Sequence, residues 1–303
     1  MIELTDLISE IKPLITSINN KTAITRVVQL EDQNIQNGDI LWCADKNINR
    51  LAGLETGTVI LSLLGFESVR ETHPLFTSIN WVAVQNPRRT FMDILNIFFV
   101  KIEPPTISTT ANIHQSVTIP SSATIGHNVV IASNCTIGNQ VSIGPNTVIF
   151  PGTFIEDGVK IGANCTIGGV GFGYEMSDEG TYELIPHIGN VHICQNAEIG
   201  NNTAIDRAVI GSTIIGKNVK IDNLVHVAHG VKIDSNSLII ANAMIAGSVH
   251  IGKNVWISPS SSLIQKIKVG DGSIVGMGSV VLKDVSPKTI VAGIPAKLIR
   301  EIP

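Results

Sequence analysis

Residues 215–281 read IGKNVKIDNLVHVAHGVKIDSNSLIIANAMIAGSVHIGKNVWISPSSSLIQKIKVGDGSIVGMGSVV, and in this stretch every sixth residue from Ile215 to Val281 is aliphatic. The same ladder runs earlier, from Ile119 to Ile167. Two positions before each rung stands a small or β-branched residue, such as Ala123, Val129, Cys135, Thr147, Val219 and Val225. Helices repeat apolar residues every 3.6 positions and half-buried strands every second position, so neither explains a period of six. A six-residue unit with an aliphatic plug, a small inward neighbour and a Gly, Asn or Asp corner predicts a parallel β-helix.

Each unit makes one flat face, three make a triangular coil, and residues 18 apart stack on neighbouring coils. Counting rungs at 113–167, at Ile193, Ile199 and Ile205, and at 215–281 gives about eight coils. A strand spacing of ~4.8 Å makes the prism about 40 Å long. The phase breaks twice, and each break predicts a loop leaving the prism. Between Ile167 and Ile193 the chain inserts a Gly-rich excursion, 169–190, that includes GFGY. Between Ile205 and Ile215 it inserts the shorter DRAVIGS. Loops carried on a rigid scaffold are where function concentrates.

The chain has 303 residues, 44% of them hydrophobic and a net charge of −4, which gives ample core and no basic stripe for nucleic acid. The N-terminus lacks a basic segment followed by an apolar run, and the longest apolar stretches are too short to span a bilayer, so no membrane span and a cytoplasmic location are expected. Residues 1–104 lack the repeat and read as a small α/β domain. GDILWCAD, TVILSLL and INWVAV are its strand candidates, TDLISEIKPL a helix opened by Thr5, and NPRRTFMDILNIFFV a helix with Pro87 in its first turn. Pro104 and Pro105 mark the boundary, the prism domain covers 105–285, and 286–303 forms a tail.

Chemistry concentrates in KIDNLVHVAHGVKID, where His226 and His229 flank the rung Val227. His229 lies near a corner, and the residue 18 further on is Gly247. A glycine stacked over a corner histidine leaves space beside the imidazole and exposes a backbone N–H, the arrangement of a general base beside an oxyanion donor. The competing reading makes both histidines solvated surface residues. Cys135 and Cys165 fill the small inward slot five units apart, on different faces, where burial and not pairing is expected. The spacing of His187 and His192 resembles that of hexapeptide carbonic anhydrases, but no third histidine follows at the needed place, so no metal is expected.

IDNLVHVAHGVKI, together with GFGY, IPHIGNVHI and IDRAVIGSTIIG, resembles the bacterial enzymes that N-acylate UDP-3-O-acylglucosamine in lipid A assembly. NGDILWCADKNINRLAG and VAVQNPRRTFMDIL are similar to that family's nucleotide-binding domain. The resemblance implies a left-handed prism, a homotrimer with sites at subunit boundaries, and His229 as the base. Three departures bear on specificity. The family's uracil-reading aromatic, Asn and Tyr are replaced by Trp42, Asp45 and Ile48, its second histidine by Gln265 and Lys266, and its C-terminal helices by an ending, GIPAKLIR, that resembles coenzyme A dependent sugar acetyltransferases.

On that reading the chain transfers a short acyl group from acyl-coenzyme A to the amine of a nucleotide-linked amino sugar, with a dTDP sugar for O-antigen or another surface polysaccharide expected. The alternatives are the lipid A reaction with an acyl carrier protein donor, and a noncatalytic trimeric scaffold. Trp42 and Asp45 are candidates for the base, and Phe172, Tyr174, Asp206, Asn223 and His226 for the sugar. Gln265, Lys266, Met277, Lys297 and Arg300 are candidates for the donor.

Overall fold

The computed structural model describes residues 2–20, 23–101 and 103–302. It divides into two compact units, Met1–Glu103 and Pro104–Pro303.

The first unit is a five-stranded sheet of β1 (Ile15–Ser17), β2 (Arg26–Val27), β3 (Asp39–Trp42), β4 (Thr58–Leu61) and β5 (Asn80–Ala83) in the order β1-β5-β4-β3-β2. Only β1 is antiparallel to its neighbour. Side chains alternate across the strands, as the pleat requires. Leu41, Val59, Leu61 and Trp81 enter one apolar cluster, while Ile40, Ile60 and Val82 enter another with Leu7, Phe91 and Ile94. The N-terminal helix, Leu4–Ile11, starts one residue before Thr5, and Glu3 occupies the cap without a side-chain hydrogen bond. TVILSLL is only half strand. It ends at Leu61, and the Ser62 hydroxyl accepts the Gly65 N–H at 2.9 Å to open a helix, Leu63–Thr72, that the apolar run conceals. Asn86 likewise caps the helix Pro87–Ile94 by accepting from the Arg89 N–H.

The second unit is a left-handed parallel β-helix of three sheets, with ten, nine and seven strands among the described residues. Consecutive coils pair rung on rung, Ile125 with Ile143, Ile143 with Ile161, and Val227 with Ile245 and then Leu263. The rungs from Ile125 to Val281 are buried and form one continuous core. Hydroxyls in the inward slot are tied to backbone carbonyls: Thr147 donates to Gly162 and Ser237 to Gly252 of the next coil, both at 2.7 Å, and Thr153 to Phe150 of its own coil. Three positions before most rungs the backbone turns through a left-handed conformation. Asn holds half of these corners, Gly takes others such as Gly230 and Gly272, and Leu224, Ser248 and Lys266 are among the rest.

Both expected excursions leave the prism and return in register. Ile155 pairs with Ile193 across the first, and Ile205 with Val227 across the second. The longer one carries an antiparallel hairpin, Tyr174–Met176 with Tyr182–Leu184. Its root is bonded to the shorter one, since the Ile188 N–H donates to the Val209 carbonyl and the Arg207 side chain donates to the carbonyls of Gly168 and Pro151. In the C-terminal segment Thr289–Gly293 extends the ten-stranded sheet and Ala296–Glu301 folds back on it. No helix among the described residues is long and apolar enough to cross a membrane.

Candidate functional site

His229 follows the rung Val227, at the corner between the nine-stranded and seven-stranded sheets. Stacking sets Gly247 directly over it. The Ser248 N–H donates to the His229 carbonyl at 2.9 Å, and a Cβ built on Gly247 would stand 2.8 Å from His229 Cε1 and 2.9 Å from Nε2. Only a glycine leaves the imidazole room at this step. Among the described residues the Gly247 N–H has no acceptor, and neither ring nitrogen of His229 has a hydrogen-bond partner. A cavity of about 330 Å³ opens here, lined by His229 and Gly247 with Phe172, Asp206, His226, Met244, Gln265 and Lys266.

The GFGY glycines fit the same constraint. A Cβ on Gly171 would meet His229 Cβ at 3.0 Å and His187 Nε2 at 3.1 Å, and one on Gly173 would meet His187 Cε1 at 3.1 Å. The bare backbone lets His187 pack its ring against His229 edge to face, with centroids 5.3 Å apart. His187 Nδ1 lies 2.6 Å from the Ile185 carbonyl, so that nitrogen carries the hydrogen, while Nε2 is buried with no partner among the described residues. Burial first, and then the charge of His187, hold His229 below the ordinary imidazole value. The neutral, proton-accepting form is thereby favoured. Asp206 lies 3.8 Å from His226 Nε2, and burial pushes its carboxyl up against the opposing pull of His226 and His187.

The site thus gathers Phe172, Asp206, His226, Gln265 and Lys266 around His229. Tyr174 reaches it indirectly, through a ring contact with Phe172 at 4.9 Å. Four candidates of the second unit stand elsewhere. Asn223 is used up between coils, where its Oδ1 accepts from the Asn201 N–H and its amide donates to Asp222. Met277 is exposed at a different corner of the prism, after the rung Val275 of the ten-stranded sheet. Lys297 and Arg300 lie on the C-terminal hairpin, Lys297 lining a separate cavity of about 480 Å³. His187 and Met244 were not among the candidates. Met244 was within reach, because it stands 18 residues past His226 and pairs with it, whereas the path of an aperiodic loop to His187 left no such signal.

In the first unit Trp42 lines a cavity of about 500 Å³ with Gln29, Asn47 and Phe91. Asp45 does not line it. Its Oδ1 accepts the Ser62 hydroxyl at 2.5 Å at the start of a 3₁₀ turn, Asp45–Gly53, and the amide residues that line the cavity are Gln29 and Asn47.

The pairing of His187 with His229 has a measurable effect. Replacing His187 with Gln removes a charge that opposes protonation, so the His229 pKa rises. An NMR titration of the two proteins measures the difference; an unchanged value in the variant means burial alone sets it, and a lower one means His187 favours protonation of its neighbour.

The bacterial transferase hexapeptide model, of six repeats, matches residues 140–169, 212–247 and 248–283. The UDP-3-O-acylglucosamine N-acyltransferase of Helicobacter pylori is 46% identical over 93 residues, which is 31% of this chain and 28% of that protein. That of Cytophaga hutchinsonii is 54% identical over 82 residues, 27% of this chain and 24% of that protein. The aligned segments therefore span about a quarter of the length of these curated relatives. The UDP-N-acetylglucosamine acyltransferase structure of Francisella novicida superposes with a TM-score of 0.58 at 27% identity, covering 64% of this chain and 68% of that one. The Bacteroides fragilis enzyme gives 0.51 at 27% identity, covering 64% of this chain and 73% of that one. The chain is a left-handed hexapeptide-repeat prism, preceded by a small α/β unit, that resembles the UDP-3-O-acylglucosamine N-acyltransferases.

Proposed function

We propose that the chain is an acyltransferase that moves an acyl group from a thioester to the amine of a nucleotide-linked amino sugar. The observation that carries this reading is the pairing of an unbonded, neutral-favoured His229 imidazole with the unbonded Gly247 N–H in one cavity. His229 takes a proton from the amine as its nitrogen attacks the thioester carbonyl. The carbonyl oxygen gains charge and is met by the Gly247 N–H. Collapse expels the thiolate, which takes the proton from His229, and the base is restored. Asp206 and His226 hold the sugar near the amine, and Lys266 and Gln265 face the donor. No enzyme-bound acyl intermediate is required. Among the described residues no cysteine lines the cavity, and burial pushes the Cys135 and Cys165 thiols up, away from the reactive thiolate.

For the acceptor, the relatives' names favour a UDP-linked 3-O-acylglucosamine over the dTDP-linked sugar expected from the altered first domain. Gln29 and Asn47 bring the Trp42 cavity amides able to read the edge that uracil and thymine share, so the preference for UDP rests on the relatives. For the donor, the coenzyme A reading rests on Lys297 and Arg300, which sit on the hairpin and not in the His229 cavity. A long-chain carrier-protein thioester is therefore the donor of the leading reading, in a cytoplasmic enzyme of lipopolysaccharide synthesis. The test is a competition of UDP-3-O-acylglucosamine against a dTDP amino sugar, each with a hydroxyacyl carrier protein and a short acyl-coenzyme A. Turnover of only the dTDP sugar with coenzyme A restores the alternative specificity, and turnover of neither pair leaves a scaffold.

The protein is expected to be a homotrimer. Phe172 is 87% exposed, Ile188 77% and Ile210 80%, all on the excursions beside the His229 corner, and threefold closure covers such apolar surface three times over. Light scattering measures this directly. A fully active monomer removes the shared-site arrangement.

A further inference from the structure

Glu156, His192 and Cys194 form a second cluster, separate from the His229 cavity. Ile155 pairs with Ile193 on the seven-stranded sheet, so Glu156 and Cys194 hold equivalent positions on consecutive coils, with His192 two residues before Cys194. His192 Nε2 lies 2.7 Å from Glu156 Oε1. The other carboxylate oxygen accepts the Gln195 N–H at 2.8 Å, and the Phe154 ring packs edge-on against His192 with centroids 4.8 Å apart. One ligand atom from each of Glu156, His192 and Cys194 lies within 4.8 Å of the other two, and all three residues are half-buried.

We propose that these three side chains bind a divalent cation of the zinc class. A carboxylate, an imidazole and a thiolate form a borderline-soft donor set, which selects zinc or cobalt over magnesium and calcium. Metal–ligand bonds of about 2.0–2.3 Å put tetrahedral ligand atoms roughly 3.3–3.8 Å apart, so side-chain rotations on the order of 1 Å close the site. The ion replaces the hydrogen bond between His192 and Glu156, the Cys194 thiol gives its proton to solvent, and the fourth position goes to water. Carboxylate and imidazole are already oriented by Gln195 and Phe154, as outer partners orient ligands elsewhere.

Position gives the ion a role. Glu156 precedes the long excursion, while His192 and Cys194 follow it directly. A bound cation joins the two strands at the excursion's root, a few residues from His187, and steadies the loop that packs on His229. This holds whatever reaction the His229 cavity performs.

Tag-free, metal-stripped full-length protein is titrated with Co²⁺. The expected result is a one-to-one complex with the visible bands of four-coordinate cobalt and a near-ultraviolet sulfur-to-cobalt charge-transfer band, displaced by Zn²⁺. Cys194→Ser is expected to lose the charge-transfer band, and His192→Ala to weaken binding at least about tenfold. Zn²⁺ is expected to raise the Tm of the wild type but not of Cys194→Ser. The other three cysteines are buried. No charge-transfer band at stoichiometric cobalt, a band that persists in Cys194→Ser, or an equal Zn²⁺ effect on both melting curves overturns the proposal.

Discussion

Replacing His229 with alanine is expected to lower kcat by roughly 10²- to 10⁴-fold, the range that general-base catalysis contributes. The fold is expected to survive. The ring makes no hydrogen bond among the described residues, and its neighbours Val227 and Val231, which are buried, keep the coil packed. Truncation leaves space in a cavity of about 330 Å³, so added imidazole is expected to restore part of the rate. The measurement is kcat at saturating substrates beside a thermal melt. Near-wild-type turnover in a folded variant means the proton leaves by another route.

Gly247→Ala is expected to cost about 10²-fold in kcat, for a different reason. The variant keeps the backbone N–H, and the backbone at Gly247 is not in the left-handed region. Its methyl group, however, arrives 2.8 Å from His229 Cε1, and the imidazole has to swing out of line. Because the damage passes through the histidine, the same substitution in a His229→Ala background is expected to change kcat little, a strongly non-additive pair. Additive losses in the two backgrounds would show that the alanine methyl obstructs substrate and not the base.

The residues that were legible in the sequence are those whose position the repeat fixes. A strict period of six sets which side chains enter the core. A coil of three units then sets that Gly247 lies over His229. Where the period stops, so does that inference. His187 sits on the aperiodic excursion and reaches His229 only because Gly171 and Gly173 let the loop lie close. Asn223 is engaged by Asp222 and Asn201, a competition between polar neighbours that one sequence does not rank. Met277 occupies the same place in its unit as His229 does, but one face earlier, and the unit alone does not say which corner bears chemistry. In the first domain the helix Leu63–Thr72 was missed because LSLLGF continues an apolar strand, and only the cap at Ser62 marks the change.

The rung-on-rung pairing also fixes where mutational epistasis is to be found in this chain. A side chain on the prism touches its counterpart 18 positions away, as Asn128 touches Asn146, far more than its neighbours six positions away on the next face. Across the long excursion the separation becomes 38, as between Ala163 and Asn201, and across the short one 22, as between Asn201 and Asn223. A complete map of pairwise substitutions would therefore show stripes parallel to its diagonal, displaced at two places, and compensating changes for any damaged coil lie on those stripes.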